Sequence, residues 1–79
     1  MNTINLNGAT ESHPEGTTVA HLVAAVTGRE LLPTGQAADG GRLGVAVARN
    51  QEIVPRSQWA ATVVEHQDAL EIVAAVQGG

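Results

Sequence analysis

The stretch Ala69-Leu70-Glu71-Ile72-Val73-Ala74-Ala75-Val76 decides how this chain folds. Leu70, Ile72, Ala74 and Val76 fall on one face of an extended strand, and Glu71, Val73 and Ala75 fall on the other. The run is apolar enough to belong at the centre of a sheet. At the opposite end of the chain, Ile4 and Leu6 alternate with Asn5 and Asn7 in the same period of two. These two are the most hydrophobic strand candidates, and they are expected to lie side by side, in parallel, at the sheet centre.

Working outward, Asn7-Gly8 is a two-residue hairpin signal, because both residues tolerate positive φ. The return strand, residues 9–12, is short and polar, as an edge strand often is. Thr17 or Thr18 can cap a helix whose apolar positions Val19, Leu22, Val23 and Val26 form one stripe. Gly28 ends it where a left-handed residue is wanted. Residues 29–42 hold Pro33, Gly35, Gly40 and Gly41, show no sustained period and are expected to form a long loop. Residues 43–49 read as a strand with Val45 and Val47 on one face, and Asn50-Gln51 as a turn. Ile53-Val54 begins a short strand that Pro55 ends. Residues 57–60 suit a single helical turn that lets Trp59 reach the core, and residues 65–68 form a polar turn.

Strand, strand, helix, strand, short strand, strand describes a two-layer α+β domain. With the first and last strands paired in parallel, it is a ubiquitin-like β-grasp, a mixed sheet of four to five strands packed on one main helix. The domain is expected to span residues 1–76, with 29–42 as a loop insertion and 77–79 as a flexible tail. One helix covers one sheet face only, so Val73 and Ala75 on the other face would meet water or a partner.

Composition excludes most activities. A domain of 79 residues buries only about 60% of the surface that its unfolded chain exposes, leaving little material for the walls of a cleft. Cysteine is absent, which removes disulfides, thiolate metal sites and thiol nucleophiles. The net charge is −4, and Arg29, Arg42, Arg49 and Arg56 are scattered singly, so no basic patch can collect a nucleic-acid backbone. No apolar run approaches the roughly 20 residues that span a bilayer. The N-terminus has neither a basic region nor an apolar signal segment, and a cytoplasmic protein is expected.

Catalytic constellations are missing too. His13, His21 and His66 are not spaced as metal ligands. Gly40-Gly41-Arg42-Leu43-Gly44 lacks the ending of a phosphate loop. What remains is Gln77-Gly78-Gly79. Two residues without Cβ make a thin stalk that can thread a narrow channel, and the Gly79 carboxylate can then become a substrate. Its attack on the α-phosphate of ATP would give an acyl-adenylate. A sulfur nucleophile could displace AMP to leave a thiocarboxylate.

The run Asn50-Gln51-Glu52-Ile53-Val54-Pro55-Arg56-Ser57-Gln58-Trp59, then Asp68-Ala69-Leu70-Glu71-Ile72-Val73, then Ala75-Val76-Gln77-Gly78-Gly79 resembles the ThiS family of thiamin-biosynthesis sulfur carriers. The resemblance implies a carrier rather than an enzyme. It implies no bound cofactor, with ATP used by an activating partner, a ThiF-type adenylyltransferase. Sulfur would come from a persulfide donor and pass to a ThiG-type thiazole synthase. Gly79 would carry the adenylate and then the thiocarboxylate. Gly78, Gln77, Val73, Ala75 and Arg56 would meet partners, and Arg56 could equally brace its strand end. The chain is expected to be a monomer when free. A sulfur carrier for molybdopterin, cysteine or a siderophore, and a plain ubiquitin-like binding module, are the alternatives. Two departures stand out. The 29–42 loop is longer than the family's usual link, and His66-Gln67-Asp68 replaces a common Asp-Gly-Asp turn.

Overall fold

The structure is a computed structural model that describes residues 1–41 and 44–74, the last by its backbone. Five strands form one sheet: β1 (Asn2–Leu6), β2 (Ala9–His13), β3 (Val45–Arg49), β4 (Glu52–Ile53) and β5 (Ala69–Ala74). Their order is β2-β1-β5-β3-β4. β5 pairs in parallel with β1 and antiparallel with β3, which gives the mixed sheet of a ubiquitin-like β-grasp. Asn7 and Gly8 both take positive φ, 52° and 86°, and close the β1–β2 hairpin.

Helix α1 (Val19–Thr27) crosses one face. Thr18 caps it: its hydroxyl accepts from the His21 N–H at 3.2 Å, while His21 Nδ1 accepts from the Thr18 N–H at 3.0 Å. This is a capping box with histidine where glutamate or glutamine is usual. Gly28 ends the helix at φ 69°, and its N–H donates to the Ala24 carbonyl at 2.8 Å. Val19, Leu22 and Val23 are buried, but Val26 is 44% exposed, which corrects the four-residue stripe. Val26 shares the face of Val19, but it sits in the last turn, where the helix has outrun the core beneath it.

The core also holds Ile4, Leu6, Val47, Val64, Leu70 and Ile72, closed by Trp59. A 3₁₀ helix (Arg56–Ala61) delivers that indole, and its Nε1–H donates to the Val54 carbonyl at 3.0 Å. The one polar atom of a large apolar group is thereby satisfied inside the core.

The expected long loop is a folded object. Leu31 bridges Ala37, the Gly35 N–H donates to the Leu32 carbonyl at 2.8 Å, and the Leu32 N–H donates to the Gln36 carbonyl at 2.8 Å. Pro33 follows Leu32 and Gly35 stands at φ 88°, the pattern of a three-residue hairpin with a left-handed glycine. A Cβ on Gly35 would overlap Arg56 Cγ and lie 2.6 Å from the Arg56 carbonyl oxygen. Ala37, 2% exposed, thereby joins the core. Nearby, Asp39 accepts from Arg29 at 3.0 Å and from the Gly41 N–H at 2.8 Å. The Gly41 N–H, and then the Arg29 guanidinium, hold the Asp39 carboxyl below its ordinary range.

Before β5 the chain turns through Glu65-His66-Gln67-Asp68, with the Asp68 N–H on the Glu65 carbonyl at 3.1 Å. Gln67 stands at φ 71°, a conformation that costs a residue with a Cβ about 1–2 kcal/mol. Glycine avoids that cost and loses about 0.5–1 kcal/mol of it to chain entropy. Gln67→Gly is therefore expected to stabilise the domain by about 0.5–1 kcal/mol, raising the melting midpoint by a few degrees in thermal unfolding.

Candidate functional site

β5 divides the sheet. Leu70 and Ile72 point into the core at 1% and 4% exposure, while Val73 points away from it at 60%. Cross-strand partners share a face, so the register defines what surrounds Val73. Val73 lies opposite Ala46, Glu71 lies opposite Ala48, and Ala48 in turn lies opposite Ile53. Ile53 is 73% exposed. The outer face over β5, β3 and β4 therefore carries Val73, Ala46, Ala48 and Ile53 around one carboxylate, Glu71. Over β1 and β2 the same face turns polar, with Asn5 opposite Thr10 and Thr3 opposite Ser12. Val73 is thus where its alternation places it. Ile53 joins it unannounced, because a strand of two residues gives no period to tell which of Ile53 and Val54 faces outward.

Arg56 belongs to a different place. It is half-buried, its guanidinium carbon lies 5.4 Å from the Trp59 ring centroid, and its backbone underlies Gly35. This is the geometry of a cation–π contact within the 3₁₀ helix, with the loop hairpin seated at Gly35 against the stem and backbone of the same arginine. The structure does not bring Arg56 together with Val73. Ala75, Gln77, Gly78 and Gly79 lie outside the described residues.

β5 is anchored at its start by Asp68, which is only 5% exposed. Asp68 Oδ2 accepts from Arg49 Nε at 2.7 Å and from the Glu65 N–H at 2.8 Å, and Oδ1 accepts from Asn50 Nδ2 at 3.1 Å. Burial pushes this carboxyl up, but the Glu65 N–H, Arg49 and Asn50 outweigh it and hold it below its ordinary range. In sequence the residue reads as part of a surface turn; in the fold it is a buried node that ties β5 to β3.

The histidines serve local structure. His66 Nδ1 accepts from the Thr3 N–H at 3.0 Å, His21 caps α1, and His13 Nε2 meets Glu11 at 2.9 Å. Among the described residues, no group of three His, Cys, Asp or Glu side chains could hold a metal ion, and no helix is long and apolar enough to cross a membrane.

The comparisons with known proteins agree with this geometry. The profile of the ThiS family matches residues 2–79. Two solved structures are similar at 25% identity, both of a thiamine biosynthesis protein from Geobacter metallireducens. The crystal structure, of ThiS, has a TM-score of 0.66 and covers 98% of this chain and 99% of its own. The solution structure has a TM-score of 0.65 and covers 98% of this chain and 87% of its own. No curated protein matches the chain.

The Asp68 anchor has a pH signature. Its carboxyl is depressed in the fold, so its stabilisation is present above the unfolded value of about 3.9 and lost as pH falls through the folded value. Asp68→Asn presents an amide to donors and is expected to cost about 2–4 kcal/mol at neutral pH. The gap between the wild type and Asp68→Asn should close below about pH 4, as read by urea unfolding across a pH series.

Proposed function

Because the chain belongs to the ThiS family, we propose that it is a sulfur carrier of thiamin biosynthesis whose working group is the Gly79 carboxylate. The observation that carries this reading is that the family match runs to Gly79. In the reading, a carboxylate oxygen of Gly79 attacks the α-phosphorus of ATP in the site of a ThiF-type adenylyltransferase. A C–O–P bond forms, the bond between the α- and β-phosphates breaks, and pyrophosphate leaves. The terminal sulfur of a persulfide then attacks the acyl carbon and AMP leaves. A thiol cleaves the resulting acyl disulfide, taking the persulfide's carrier away as a disulfide and leaving the thiocarboxylate. A ThiG-type thiazole synthase would accept that sulfur.

None of these steps requires an acid or base from the carrier. Its contributions are a carboxylate on a narrow stalk, with Gln77 leading off the sheet and Gly78 supplying clearance, and a surface for the activating enzyme to grip. The outer face around Val73 and Ile53 suits that surface, and Ala75 is proposed to contribute to it. It is apolar, carries Glu71, and belongs to a chain of net charge −4, so a basic docking rim on the partner would complement it. Reaction in the cytoplasm, with a chain that is a monomer when free, completes the reading.

The decisive measurement is intact mass after incubation with ATP, the cognate adenylyltransferase and a persulfide source. A gain matching the exchange of one oxygen for sulfur is expected in the full chain and absent after deletion of Gly79. No gain with an adenylyltransferase active on its own carrier would move the chain to another sulfur pathway or to a plain binding module. The docking face is tested separately. Val73→Asp is expected to weaken binding to the adenylyltransferase by about tenfold, roughly 1.4 kcal/mol, by isothermal titration, with the melting midpoint within a few degrees of wild type. Unchanged affinity would remove Val73 from the interface.

A further inference from the structure

β1 stops before β5 does. The parallel register of the two strands ends at Leu6 opposite Leu70, yet β5 continues to Ala74, paired on its other side with β3 through Val45. On the β1 side, bonds fall on alternate residues, first on Asp68 just before β5 and then on Leu70 within it. The Asn5 N–H donates to the Asp68 carbonyl at 2.9 Å, and the Asn7 N–H donates to the Leu70 carbonyl at 2.9 Å. The next residue in this series is Ile72, and the backbone of β1 has by then turned away at Asn7-Gly8.

The Asn7 side chain takes the missing place. The Ile72 N–H donates to Asn7 Oδ1 at 2.8 Å, and Asn7 Nδ2 donates to the Ile72 carbonyl at 3.2 Å. One planar amide supplies the donor and the acceptor that two successive bonding residues of a longer β1 would supply. The choice of side chain is narrow. Aspartate keeps the acceptor but has no donor, and glycine keeps the turn but has neither. At φ 52°, asparagine is also among the few non-glycine residues that adopt the turn readily.

We propose that Asn7 is a positioning residue, whose amide holds the end of β5 in strand geometry so that the chain beyond it is presented to the activating enzyme in one direction. The proposal rests on the carrier reading. Ile72 is seven positions before Gly79. Each backbone residue left unordered costs about 1–2 kcal/mol to order on binding. Ile72 is already held on its other side by its register with Val47, and the Asn7 amide secures the side that β1 leaves open, which spares part of that cost at the encounter. The interaction lies at a sheet edge that water can reach, so its loss should loosen the strand end without unfolding the domain.

Two variants test this, Asn7→Gly and Asn7→Asp, with two readouts. The first is amide hydrogen exchange. In Asn7→Gly the Ile72 amide is expected to exchange at least about tenfold faster, while the Asn5 amide, bonded to Asp68, keeps its protection. The second is steady-state adenylation by the cognate adenylyltransferase, with the carrier as varied substrate. Asn7→Gly should raise KM about five- to tenfold, the worth of one or two hydrogen bonds, with kcat unchanged, and Asn7→Asp should fall between it and wild type. Wild-type KM in Asn7→Gly, or equal loss of protection at Ile72 and Asn5, would overturn the proposal and leave the carrier reading standing. A wild-type chain that is never adenylated would overturn the carrier reading and with it the presenting role. The exchange of Ile72 would then decide the clamp alone.

Discussion

The parallel pairing of β1 with β5 is the constraint on which the rest of the domain depends. It joins Asn5 to Ala69 and Leu6 to Leu70, so the two ends of the described chain meet at the sheet centre. Two parallel strands cannot be joined by a tight turn, so the intervening chain must cross over and fill the layer above. α1 does so, and its N-terminal end is stitched to the segment that leads into β5. The Val19 N–H donates to the Thr62 carbonyl, and the Val64 N–H donates to the Thr17 carbonyl, each at 2.9 Å. A last strand at the centre of the sheet also means that the chain leaves the domain from its most cohesive part. That placement suits the sulfur-carrier role of the ThiS family.

A core this small has to be closed from the side. α1 contributes Val19, Leu22 and Val23, but its last turn overhangs, with Val26 exposed. Trp59 and the loop hairpin close what the helix leaves open. Burying an apolar group of this kind is worth about 1.5–3 kcal/mol, a large fraction of the stability available to a domain of this size. The hairpin then fits over the 3₁₀ helix through the contact of Gly35 with Arg56. Residues 29–41 are therefore core-forming structure, anchored by Ala37 and by the Arg29–Asp39 pair.

Where periodicity is strong the sequence is legible, and where a single side chain makes the structure it is not. The alternation of residues 69–73 and of Ile4 and Leu6 identifies the central strands, their inward faces and the exposure of Val73. Gly28 and the threonines mark the ends of the helix. The hairpin within the long loop is invisible, because a two-residue bridge has no period and its seat against Arg56 is a long-range fact. Ile53 escapes notice for a similar reason: its orientation is set by its register with Ala48, a long-range fact. Asp68 reads as a turn residue because nothing local reveals that Arg49 and Asn50 will converge on it.

Asn7 and Asn50 show how much of a strand can be determined by its neighbours' turns. Both residues sit at nearly the same backbone angle, φ 52° and 51°, just past the ends of β1 and β3. Turn chemistry alone would accept glycine at either place. Each asparagine, however, directs its side-chain amide at β5, from opposite sides and at opposite ends. Asn50 Oδ1 accepts from the Ala69 N–H at 2.9 Å and its Nδ2 donates to Asp68, while Asn7 brackets the backbone of Ile72. β5 is thus longer than its pairing with either neighbour, and each overhang is finished by a side chain that mimics strand backbone. A glycine in either turn would preserve the fold's topology and leave one side of one end of the strand without its side-chain partner. Asparagine at these two turns therefore bears on how the central strand enters the sheet and, in the proposed carrier, on how it leaves.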